Sequence, residues 1–484
     1  SDDKEYAVCN LASIALKSFV VPFQFNSEKE WIVYSKPNCK YCRYAKNYLT
    51  SQNVQFTEIE FSNESLLKLK EILNTQRITF PQIFTRPSGG GELEHIGGWS
   101  HLYKYTASQF DYNKLYDIAY LATINLNQVI DVNYYPVPQT RFSNMRHRPI
   151  GLGIQGLADA LVLMRIQFDS EEAVEFNSKY METIYLASVS ASNNLAKERS
   201  DKMRALIQWF RESQVDYPEY YDYSLVLPDD CIDSLYHDLK PCKYELDRDP
   251  DLTTIGSYST FDGSPFSEGK FQFDLWERSS PIGLMYPERW AQLREDVVRY
   301  GTRNSLMTAL MPTASTSQIL GNNECFEHFT NNIYTRKTQA GDFVLVNKYL
   351  VKDLVAVGIW NENLKNLIIA NNGSVQSIDE MPPEMRALYK TVWELKQVWV
   401  LKQAVARGAF VDQTQSMNIF MAEPDYQRLT SSHFYGWKNG LKTGMYYLRS
   451  KPSAEAIKFT VDPNLIKKTN ESKEDPEPCL SCSG

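Results

Sequence analysis

The sequence predicts an α/β protein of two or three domains that ends in a disordered tail. Three observations lead to this prediction. Residues 29–105 alternate strand-like and helix-like segments, residues 110–408 are dominated by long helical patterns, and residues 461–484 turn polar and charged. The chain has 484 residues, of which 43% are hydrophobic and 23% charged, so it is long enough to bury more than one core.

Composition and charge argue against several classes of function. A net charge of −8 argues against a nucleic-acid binder, because neutralising phosphates needs a basic surface. No apolar run approaches the ~20 residues of a membrane span, and the acidic first five residues are not a signal peptide. Eight cysteines are too few for a disulfide scaffold, so we expect a reducing compartment, the cytoplasm. The six histidines include no pair at i and i+4, so we predict no metal site.

The first hundred residues divide into a leading strand and a compact domain. Residues 6–22 are predicted to form a buried strand and a short helix. The domain that follows has a β-α-β-α-β-β-α order, which is typical of a small α/β fold. Its predicted segments are a strand at 31–35, a helix at 40–51, a strand at 54–61, a helix at 63–75, a strand after Pro81, the strand "LEHIGG" at 93–98 and a helix from about residue 100.

Helical periodicity dominates the rest of the chain. We predict long helices at 110–130, 151–165, 170–198, 284–302 and 380–408. A Tyr- and Asp-rich stretch at 205–250 interrupts them and is typical of a surface insertion. The polar tail is expected to be disordered because it carries too little apolar surface to order itself.

Cys39 and Cys42 stand where a strand gives way to a helix, within "WIVYSKPNCKYCRYAKNYL". A helix N-terminus lowers a cysteine pKa, and the thiolate is the attacking species in thiol exchange. Cys39 would therefore attack, with Lys36 nearby, and Cys42 would resolve the mixed disulfide. Zinc binding is the alternative, but it needs a second ligand pair, and residues 29–105 contain no other cysteine.

Further residues around this dithiol resemble glutaredoxin. Thr79-Phe80-Pro81, with a predicted cis-proline, and the pair Gly97-Gly98 follow it in the family's order and spacing. The resemblance implies that glutathione donates the electrons. The implied glutathione-binding residues are Lys36, Thr79, Phe80, Pro81, Gly97 and Gly98. Two departures stand out: Lys40 replaces the usual proline between the cysteines, and Ser100-His101 replace an acidic residue.

Six stretches elsewhere resemble the large, catalytic subunit of class I ribonucleotide reductase, most closely its eukaryotic and large-virus branch. They are "AVCNLASIAL" (7–16), "DVNYYPVP" (131–138), "RHRPIGLGIQGLADAL" (146–161), "MPTASTSQILGNNE" (311–324), "NIYTRK" (332–337) and "FYGWKNGLKTGMYYLRSKP" (434–452). The resemblance implies the second half of a ten-stranded α/β barrel, with the thioredoxin-like glutaredoxin domain inserted into it. The implied domains are a first barrel strand at 1–22, the glutaredoxin at 23–106, barrel at 107–200, an insertion of unknown role at 201–254, barrel at 255–460 and a redox tail at 461–484.

The same resemblance assigns roles to particular residues. Cys9 is implied to be one of two redox cysteines at the substrate, and Cys479 and Cys482 the C-terminal pair that reduces it. Electrons would then pass from Cys39 and Cys42 to the tail and on to Cys9. The loop Pro312-Thr313-Ala314-Ser315-Thr316 is implied to bind substrate phosphates, against the alternative of an ordinary helix cap. Tyr446 and Tyr447 are implied to relay a radical, against the alternative of simple packing.

The implied partners follow from what the sequence lacks. The family's radical cysteine precedes "AVCNLAS", so we expect a partner chain that carries the N-terminal half. We also expect a radical-generating, metal-containing small subunit, a ribonucleoside diphosphate substrate, and no tightly bound cofactor. We expect the protein in the cytoplasm, which includes the cytoplasm of a virus-infected host cell.

Several patterns and rival functions remain to be weighed. "GLGIQG" (151–156) resembles a dinucleotide fingerprint, but no hydrophobic strand precedes it, so Gly153 and Gly156 are expected to allow close helix packing. Cys231, Cys242 and Cys325 are expected to be structural thiols. The first rival function is a stand-alone glutathione-dependent thiol–disulfide oxidoreductase on an inactive scaffold. The second is an assembly or decoy subunit, although retention of every redox and relay residue argues against it.

Overall fold

The structure, a computed structural model, describes residues 5–213, 245, 248–276, 283–338 and 341–451. These residues form two parts that pack against each other. One is a large part built on parallel strands, and the other is a small α/β module between residues 21 and 109. No helix in the described part of the chain is long and apolar enough to cross a membrane.

Five parallel extended segments, in chain order, form the centre of the large part. β1 (Asn10–Ala15) pairs with β8 (Ile150–Gln155), and β8 pairs with an extended segment at 306–311. That segment pairs with residues 413–420, which end in β11 (Ile419–Phe420). β11 in turn pairs with β12 (Leu448–Arg449). Because each segment neighbours the next one in the chain, the helices between them lie against the sheet as crossovers.

Strand β8 corrects one sequence prediction. A helix is predicted over 151–165, whereas Ile150–Gln155 form a strand and helix α6 covers only Leu157–Leu163. All six residues of β8 are buried. A strand buried on both faces shows no alternation of apolar and polar residues, so its apolar run reads like a buried helix.

Helices pack against the parallel strands and against one another. They are α4 (Tyr112–Val132), α5 (Pro138–His147), α7 (Glu171–Ser213), α8 (Pro287–Tyr300) and α13 (Val398–Gly408). Helix α4 contacts both β1 and β8. α7 is central, because it packs on both α4 and α13, and the main apolar core lies between it and β8. The predictions at 110–130, 170–198 and 284–302 are thereby confirmed as helices.

The predicted helix at 380–408 is broken into three pieces. Helix α12 covers Pro383–Leu388, a 3₁₀ turn covers Val392–Glu394, and α13 begins at Val398. The Glu394 carboxylate accepts from the backbone N–H of Thr391 at 2.6 Å and forms a capping box with it. This reciprocal cap starts a new turn and so ends the continuity of the helix.

The small module has the predicted β-α-β-α-β-β-α order. Its elements are β3 (Lys29–Ser35), α1 (Lys40–Ser51), β4 (Phe56–Glu60), α2 (Asn63–Ile72), β5 (Gln82–Pro87), β6 (Glu94–Gly97) and α3 (Trp99–Tyr105). The sheet order is β4-β3-β5-β6, and only β3 and β4 run parallel. The flanking strands β2 (Val20–Val21) and β7 (Gln109–Phe110) pair antiparallel, so the chain enters and leaves the module side by side.

The remaining elements lie between the two parts or at the edge of the large one. They are α9 (Ala314–Leu320), β9 (Ile333–Thr338), β10 (Gly341–Val346), α10 (Lys348–Ala356), α11 (Glu362–Ala370) and α14 (Tyr426–Lys438). Helix α10 packs on α1 of the module, and a second apolar core runs across this contact.

The expected insertion at 201–254 is anchored to the large part. Helix α7 continues past residue 200 to Ser213, and residues 214–244 lie outside the described residues. At the far end, the buried Glu245 carboxylate accepts from Arg199 at 2.9 Å and from Arg303 at 2.6 Å. The end of the insertion is therefore tied into the core by a buried ion pair rather than lying free on the surface.

Candidate active site

Cys39 and Cys42 lie at the first turn of α1. Asn38 has a left-handed backbone (φ 57°), which turns the chain from β3 into the helix. Cys39 caps the helix: its Sγ accepts from the Cys42 backbone N–H at 3.2 Å, and its thiol donates to the Phe80 carbonyl at 3.6 Å. Cys39 is half-buried, whereas Cys42 is buried. Cys39 therefore presents the accessible sulfur.

The two thiols differ in acidity as well as in access. Burial, together with the hydrogen bond to Cys39, raises the pKa of Cys42 to about 12. Cys42 thus stays protonated at neutral pH until its environment changes. An accessible first thiol at a helix N-terminus and a protonated second thiol behind it form the arrangement that attacks a disulfide and then resolves the mixed disulfide.

Most of the candidate glutathione-binding residues lie around Cys39. The Phe80–Pro81 bond is cis, and the Phe80 carbonyl contacts the Cys39 thiol. A Cβ on Gly98 would lie 3.5 Å from the Pro81 carbonyl, so this glycine adjoins the cis-proline. Gly97 has φ +113°, and a Cβ there would come within 2.8 Å of the His101 ring, so glycine is required.

The two remaining candidates differ from each other. Lys36 is exposed, and its backbone contacts Cys42. Thr79 is exposed as well, but its carbonyl and hydroxyl accept from the Gln82 side-chain amide at 2.8 and 3.3 Å. Lys36 is thus free to meet a carboxylate, while the hydroxyl of Thr79 is already engaged within the protein.

Cys9 directly precedes β1 and faces the neighbouring strands. Burial raises the pKa of its thiol to about 11, and the negative charge of Asp412 adds to this effect, while a hydrogen bond with Gln413 opposes it. Asp412 is half-buried, desolvation raises its pKa to about 6, and its carboxylate accepts from the Met307 and Thr308 backbone N–H groups at 2.7 and 2.9 Å. Cys9 is therefore a protonated thiol at neutral pH, held beside a fixed acidic group.

Two glycines of β8, Gly151 and Gly153, lie beside Cys9 and are covered by neighbouring side chains. A Cβ on Gly151 would lie 2.4 Å from the Leu11 Cδ2 and 3.3 Å from the Cys9 Sγ, and a Cβ on Gly153 would lie 2.5 Å from the Ala309 carbonyl and 2.9 Å from the Met311 Sδ. Gly151 and Gly153 face the same side, and two strand residues span about 6.7 Å. The Cys9 thiol and the residue leading into the candidate phosphate loop therefore lie along one face. The expectation of helix packing at Gly153 is wrong, because its close neighbour is the adjacent extended segment.

The candidate phosphate loop follows that segment and opens helix α9. Pro312, Ala314, Ser315 and Thr316 are exposed, so the first turn of the helix meets solvent. Thr313 is buried instead: its hydroxyl lies 2.6 Å from the Ser317 hydroxyl and accepts from the Cys325 N–H at 2.8 Å.

Cys325 contacts the buried side of this loop through hydrogen bonds. It is buried, and its Sγ accepts from the Thr313 backbone N–H at 3.2 Å and donates to the Met311 carbonyl at 3.3 Å. Burial raises the pKa of its thiol to about 11. Cys325 and Thr313 thus shape the loop, while the exposed residues around them are left to meet a ligand.

Tyr446 and Tyr447 form a close pair on the outermost parallel segment. Their ring centroids are 4.2 Å apart at 60°, and the side chains are 48% and 49% exposed. The Tyr446 N–H donates to the Met417 carbonyl at 2.6 Å, and the Tyr447 carbonyl accepts from Ile419 at 2.9 Å. A hydrogen bond with Tyr447 raises the pKa of Tyr446. Such coupled, surface-facing phenols are suited to exchange an electron and a proton with a docked partner.

The structure does not describe four of the cysteines named in the sequence analysis. Cys231, Cys242, Cys479 and Cys482 lie outside the described residues. No sequence motif singled out Asp412 and Gln413, yet both act on Cys9. Gln413 forms a hydrogen bond with its thiol, and the negative charge of Asp412 raises the pKa of that thiol. Only the pairing of the segment at 413–420 with its neighbours brings these residues to the N-terminal end of β1.

Two sequence-family models match this chain. The model described as ribonucleotide reductase, barrel domain, matches residues 98–447, and the model described as glutaredoxin matches residues 32–88. The ribonucleoside-diphosphate reductase large subunit of Caenorhabditis elegans is 46% identical over 386 residues, which are 78% of this chain and 41% of that protein. The large subunit of Dictyostelium discoideum is 46% identical over 356 residues, 73% of this chain and 34% of that protein.

Among solved structures, the class Id ribonucleotide reductase alpha subunit of Actinobacillus ureae aligns with 89% of this chain and 63% of its own, at 20% identity and a TM-score of 0.44. The chain spans about two fifths or less of the length of these two large-subunit relatives.

Proposed function

The chain belongs to the ribonucleotide reductase family, and we propose that it forms the part of a ribonucleoside-diphosphate reductase large subunit that carries reducing thiols and their own glutaredoxin. The assembled enzyme would convert ribonucleoside diphosphates to deoxyribonucleoside diphosphates. The single observation that carries this proposal is the shared face of Cys9 and the loop at 312–316, separated by Gly151 and Gly153 of β8. That face can hold a ribose next to a thiol while its phosphates meet the loop.

The loop would bind the diphosphate through backbone groups. Exposed residues at the first turn of α9 leave its N–H groups open to phosphate oxygens, and the helix dipole favours negative charge there. The Thr313 hydroxyl is already engaged, and the Thr316 hydroxyl donates to the Thr313 carbonyl at 3.3 Å, so Ser315 is the side chain best placed to add a hydrogen bond.

Cys9 would act as one of two reductant thiols. Its raised pKa keeps it as a neutral thiol at pH 7, so it can give a hydrogen atom or a proton to the substrate rather than stand beside it as an anion. Reduction consumes two thiols, releases water and leaves a disulfide. Cys9 contributes one sulfur, and the second comes from the remaining length of the large subunit.

The glutaredoxin module would restore these thiols. In this proposal Cys479 and Cys482 reduce the Cys9 disulfide, and Cys39 with Cys42 then reduces Cys479 and Cys482 by thiol exchange. Glutathione would reduce the module, bound by Lys36 and the backbone around Pro81 and Gly98. Free thiols in this role operate in a reducing compartment, so we place the protein in the cytoplasm.

The remaining half of a ten-stranded barrel would dock on the edge of β1. Within the described residues only β8 pairs with β1, so its outer hydrogen-bonding edge is open. Leu11 of β1 is 51% exposed. On α4 beside it, Leu121, Val129 and Val132 are exposed as well. Five parallel segments ending in an apolar edge fit a partner that supplies five more.

The small subunit would dock at the exposed side chains of Tyr446 and Tyr447, just before β12. Tyr446 and Tyr447 lie on the outermost segment, half exposed, where a docked radical source could exchange an electron with them. A metal-containing small subunit would supply the radical.

Reconstitution tests this proposal. We would co-express the chain with a polypeptide carrying the rest of the large subunit, add a small subunit, and measure conversion of CDP to dCDP with glutathione as reductant. We expect turnover in the wild type and its loss in Cys9→Ser, while Cys231→Ser, a matched change outside the assigned sites, retains it. Full dCDP formation by Cys9→Ser would overturn the assignment.

A second candidate is a stand-alone glutathione-dependent thiol–disulfide oxidoreductase. It is favoured by one observation: the dithiol, the cis-proline and the glycine pair are complete within residues 29–105. Reduction of a glutathione mixed disulfide by the chain, lost in Cys39→Ser, fits both candidates. This second candidate alone predicts that no added large-subunit polypeptide ever gives dCDP.

A further inference from the structure

The module and the large part share one continuous apolar core. Buried side chains of α1 and α3, including Tyr44, Leu49 and Trp99, belong to the same cluster as Leu350 and Leu354 of α10. Domains that swing on linkers usually meet through smaller and more polar contacts. This contact instead resembles the interior of a single domain.

A group of hydrogen-bonded polar residues lies beside this core, around Tyr103 of α3. We call this group, Arg165 and Asp353 with the residues they bind, the polar lock. The Tyr103 hydroxyl donates to the Asp353 Oδ2 at 2.6 Å, and Tyr389 donates to the same oxygen at 2.8 Å. The Tyr103 carbonyl accepts from the Arg165 guanidinium, whose carbon lies 3.8 Å from the centre of the Tyr103 ring. Asp353 and Arg165 belong to the large part, so both hold one residue of the module.

The lock extends to α1 through Arg165. Its guanidinium donates to the Tyr48 hydroxyl at 2.9 Å and to the Thr106 hydroxyl at 2.6 Å, and these two hydroxyls lie 2.9 Å apart. Tyr48 and Thr106 are buried. Hydrogen bonds to charged groups in such a setting are stronger and more directional than at a surface.

Two further contacts hold α1 nearer its start. The Asn47 side chain donates to the Val357 carbonyl at 3.0 Å, and the Tyr44 hydroxyl donates to the Glu380 carbonyl. Gly358 lies so close to Asn47 that a Cβ there would overlap the Asn47 amide. Helix α1 is therefore held along the stretch from Tyr44 to Tyr48, and Cys39 and Cys42 lie at the first turn of the same helix.

We infer that Arg165 and Asp353 are positioning residues that hold the dithiol helix at one place on the barrel, so that thiol exchange takes place at a fixed station. This inference rests on the proposed electron route. A module free to rotate on the β2 and β7 strands would present Cys39 in many directions, whereas a locked module presents it in one. Fixed geometry raises the effective concentration of one thiol at another.

The exchange that this geometry serves is balanced as follows. The Cys39 thiolate attacks one sulfur of the Cys479–Cys482 disulfide, that S–S bond breaks, and one thiolate leaves and takes a proton. Cys42 loses its proton and attacks the Cys39 sulfur, which releases the second tail thiol and leaves Cys39 and Cys42 as a disulfide. Two molecules of glutathione then reduce this disulfide and leave as oxidised glutathione.

Two variants of the full chain test the positioning role. Arg165→Met removes the guanidinium but keeps the bulk, and Asp353→Asn removes the shared acceptor charge. The matched control is Arg294→Met, which removes an arginine bound to Asp274 at 2.8 and 3.1 Å in the large part. Three quantities would be measured: reduction of a small glutathione mixed disulfide, glutathione-driven reduction of the Cys479–Cys482 disulfide in the same dilute chain, and module orientation.

Orientation would be read as a distance distribution between spin labels. Ketone-bearing residues at the exposed positions Leu67 and Val298 accept such labels without touching the cysteines. We expect a narrow distribution in the wild type and the control, and a broad one in both lock variants. We also expect the lock variants to reduce the tail at least tenfold more slowly, while their reduction of the small disulfide stays within twofold of the wild type.

The remaining outcomes count against the inference in distinct ways. A distribution that stays narrow in both lock variants, or tail reduction that stays fast despite a broad one, would overturn it. An equal loss of both reductase activities in both variants would show a purely structural role and also overturn it. Failure of the wild type to reduce its tail while it reduces the small disulfide would sink the proposed electron route, and the spin-label distances would still decide the docking.

Discussion

Replacing Gly153 with alanine tests whether the fold requires glycine at this position of β8. The new Cβ would lie 2.5 Å from the Ala309 carbonyl and 2.9 Å from the Met311 Sδ. The nearer atom belongs to the backbone of the adjacent segment and cannot rotate away, so that segment must shift by about 0.5 Å. Overpacking of this kind costs about 1–3 kcal/mol, and alanine recovers about 0.4–1 kcal/mol through the unfolded chain. At the middle of each range the strain exceeds the gain and leaves a net loss of about 1.3 kcal/mol.

Urea unfolding of the full chain, followed by tryptophan fluorescence, measures this loss. With a slope of about 3 kcal/mol/M, the midpoint should fall by about 0.4 M. Gly283→Ala is the matched control, because nothing lies within 4 Å of its added Cβ, and its midpoint should stay unchanged or rise slightly. A Gly153→Ala midpoint equal to that of Gly283→Ala would refute the reasoning.

Three further predictions concern the thiols, a buried histidine and the tyrosine pair. Cys42→Ser should accumulate a Cys39 mixed disulfide with glutathione, visible by mass spectrometry, because the resolving thiol is gone, whereas Cys39→Ser should accumulate none. Burial lowers the pKa of His328 from 6.5 to about 4, so the folded state resists protonation of this side chain. The free energy of unfolding should therefore fall by up to about 3 kcal/mol as the pH drops from 6.5 towards 4. Urea unfolding at each pH measures this fall, which should be smaller in His328→Leu. Tyr446→Phe and Tyr447→Phe should each abolish dCDP formation in the assembled enzyme while leaving the urea midpoint and glutathione mixed-disulfide reduction unchanged; retained dCDP formation would contradict the relay.

Local signals explain why the small module was predictable. Its strands and helices alternate over short distances, and the dithiol, Pro81 and the pair at Gly97 and Gly98 each mark a boundary between elements. The structure confirms the order of the elements and brings the dithiol, Pro81 and Gly98 close together. The comparisons confirm both family resemblances.

Contacts between distant segments could not be predicted in the same way. Strand β8 lacks the alternation that reveals a half-exposed strand, so its apolar run was compatible with a helix. Asp412 lies about four hundred residues from Cys9, and only the pairing of the parallel segments brings them together. Arg165 and Asp353 carry no motif, because their role arises from the packing of two units against each other.

The most direct test of the central claim, a built-in electron supply, counts product in the absence of external reductant. The assembled enzyme would be fully reduced, freed of reductant and given CDP, and its dCDP would be measured per copy of this chain. Each dithiol yields one deoxynucleotide, so the wild type should form three, from the Cys9 pair, the Cys479–Cys482 pair and the Cys39–Cys42 pair. Cys39→Ser should form two. Equal yields from the wild type and Cys39→Ser would contradict the claim that the module feeds the active site.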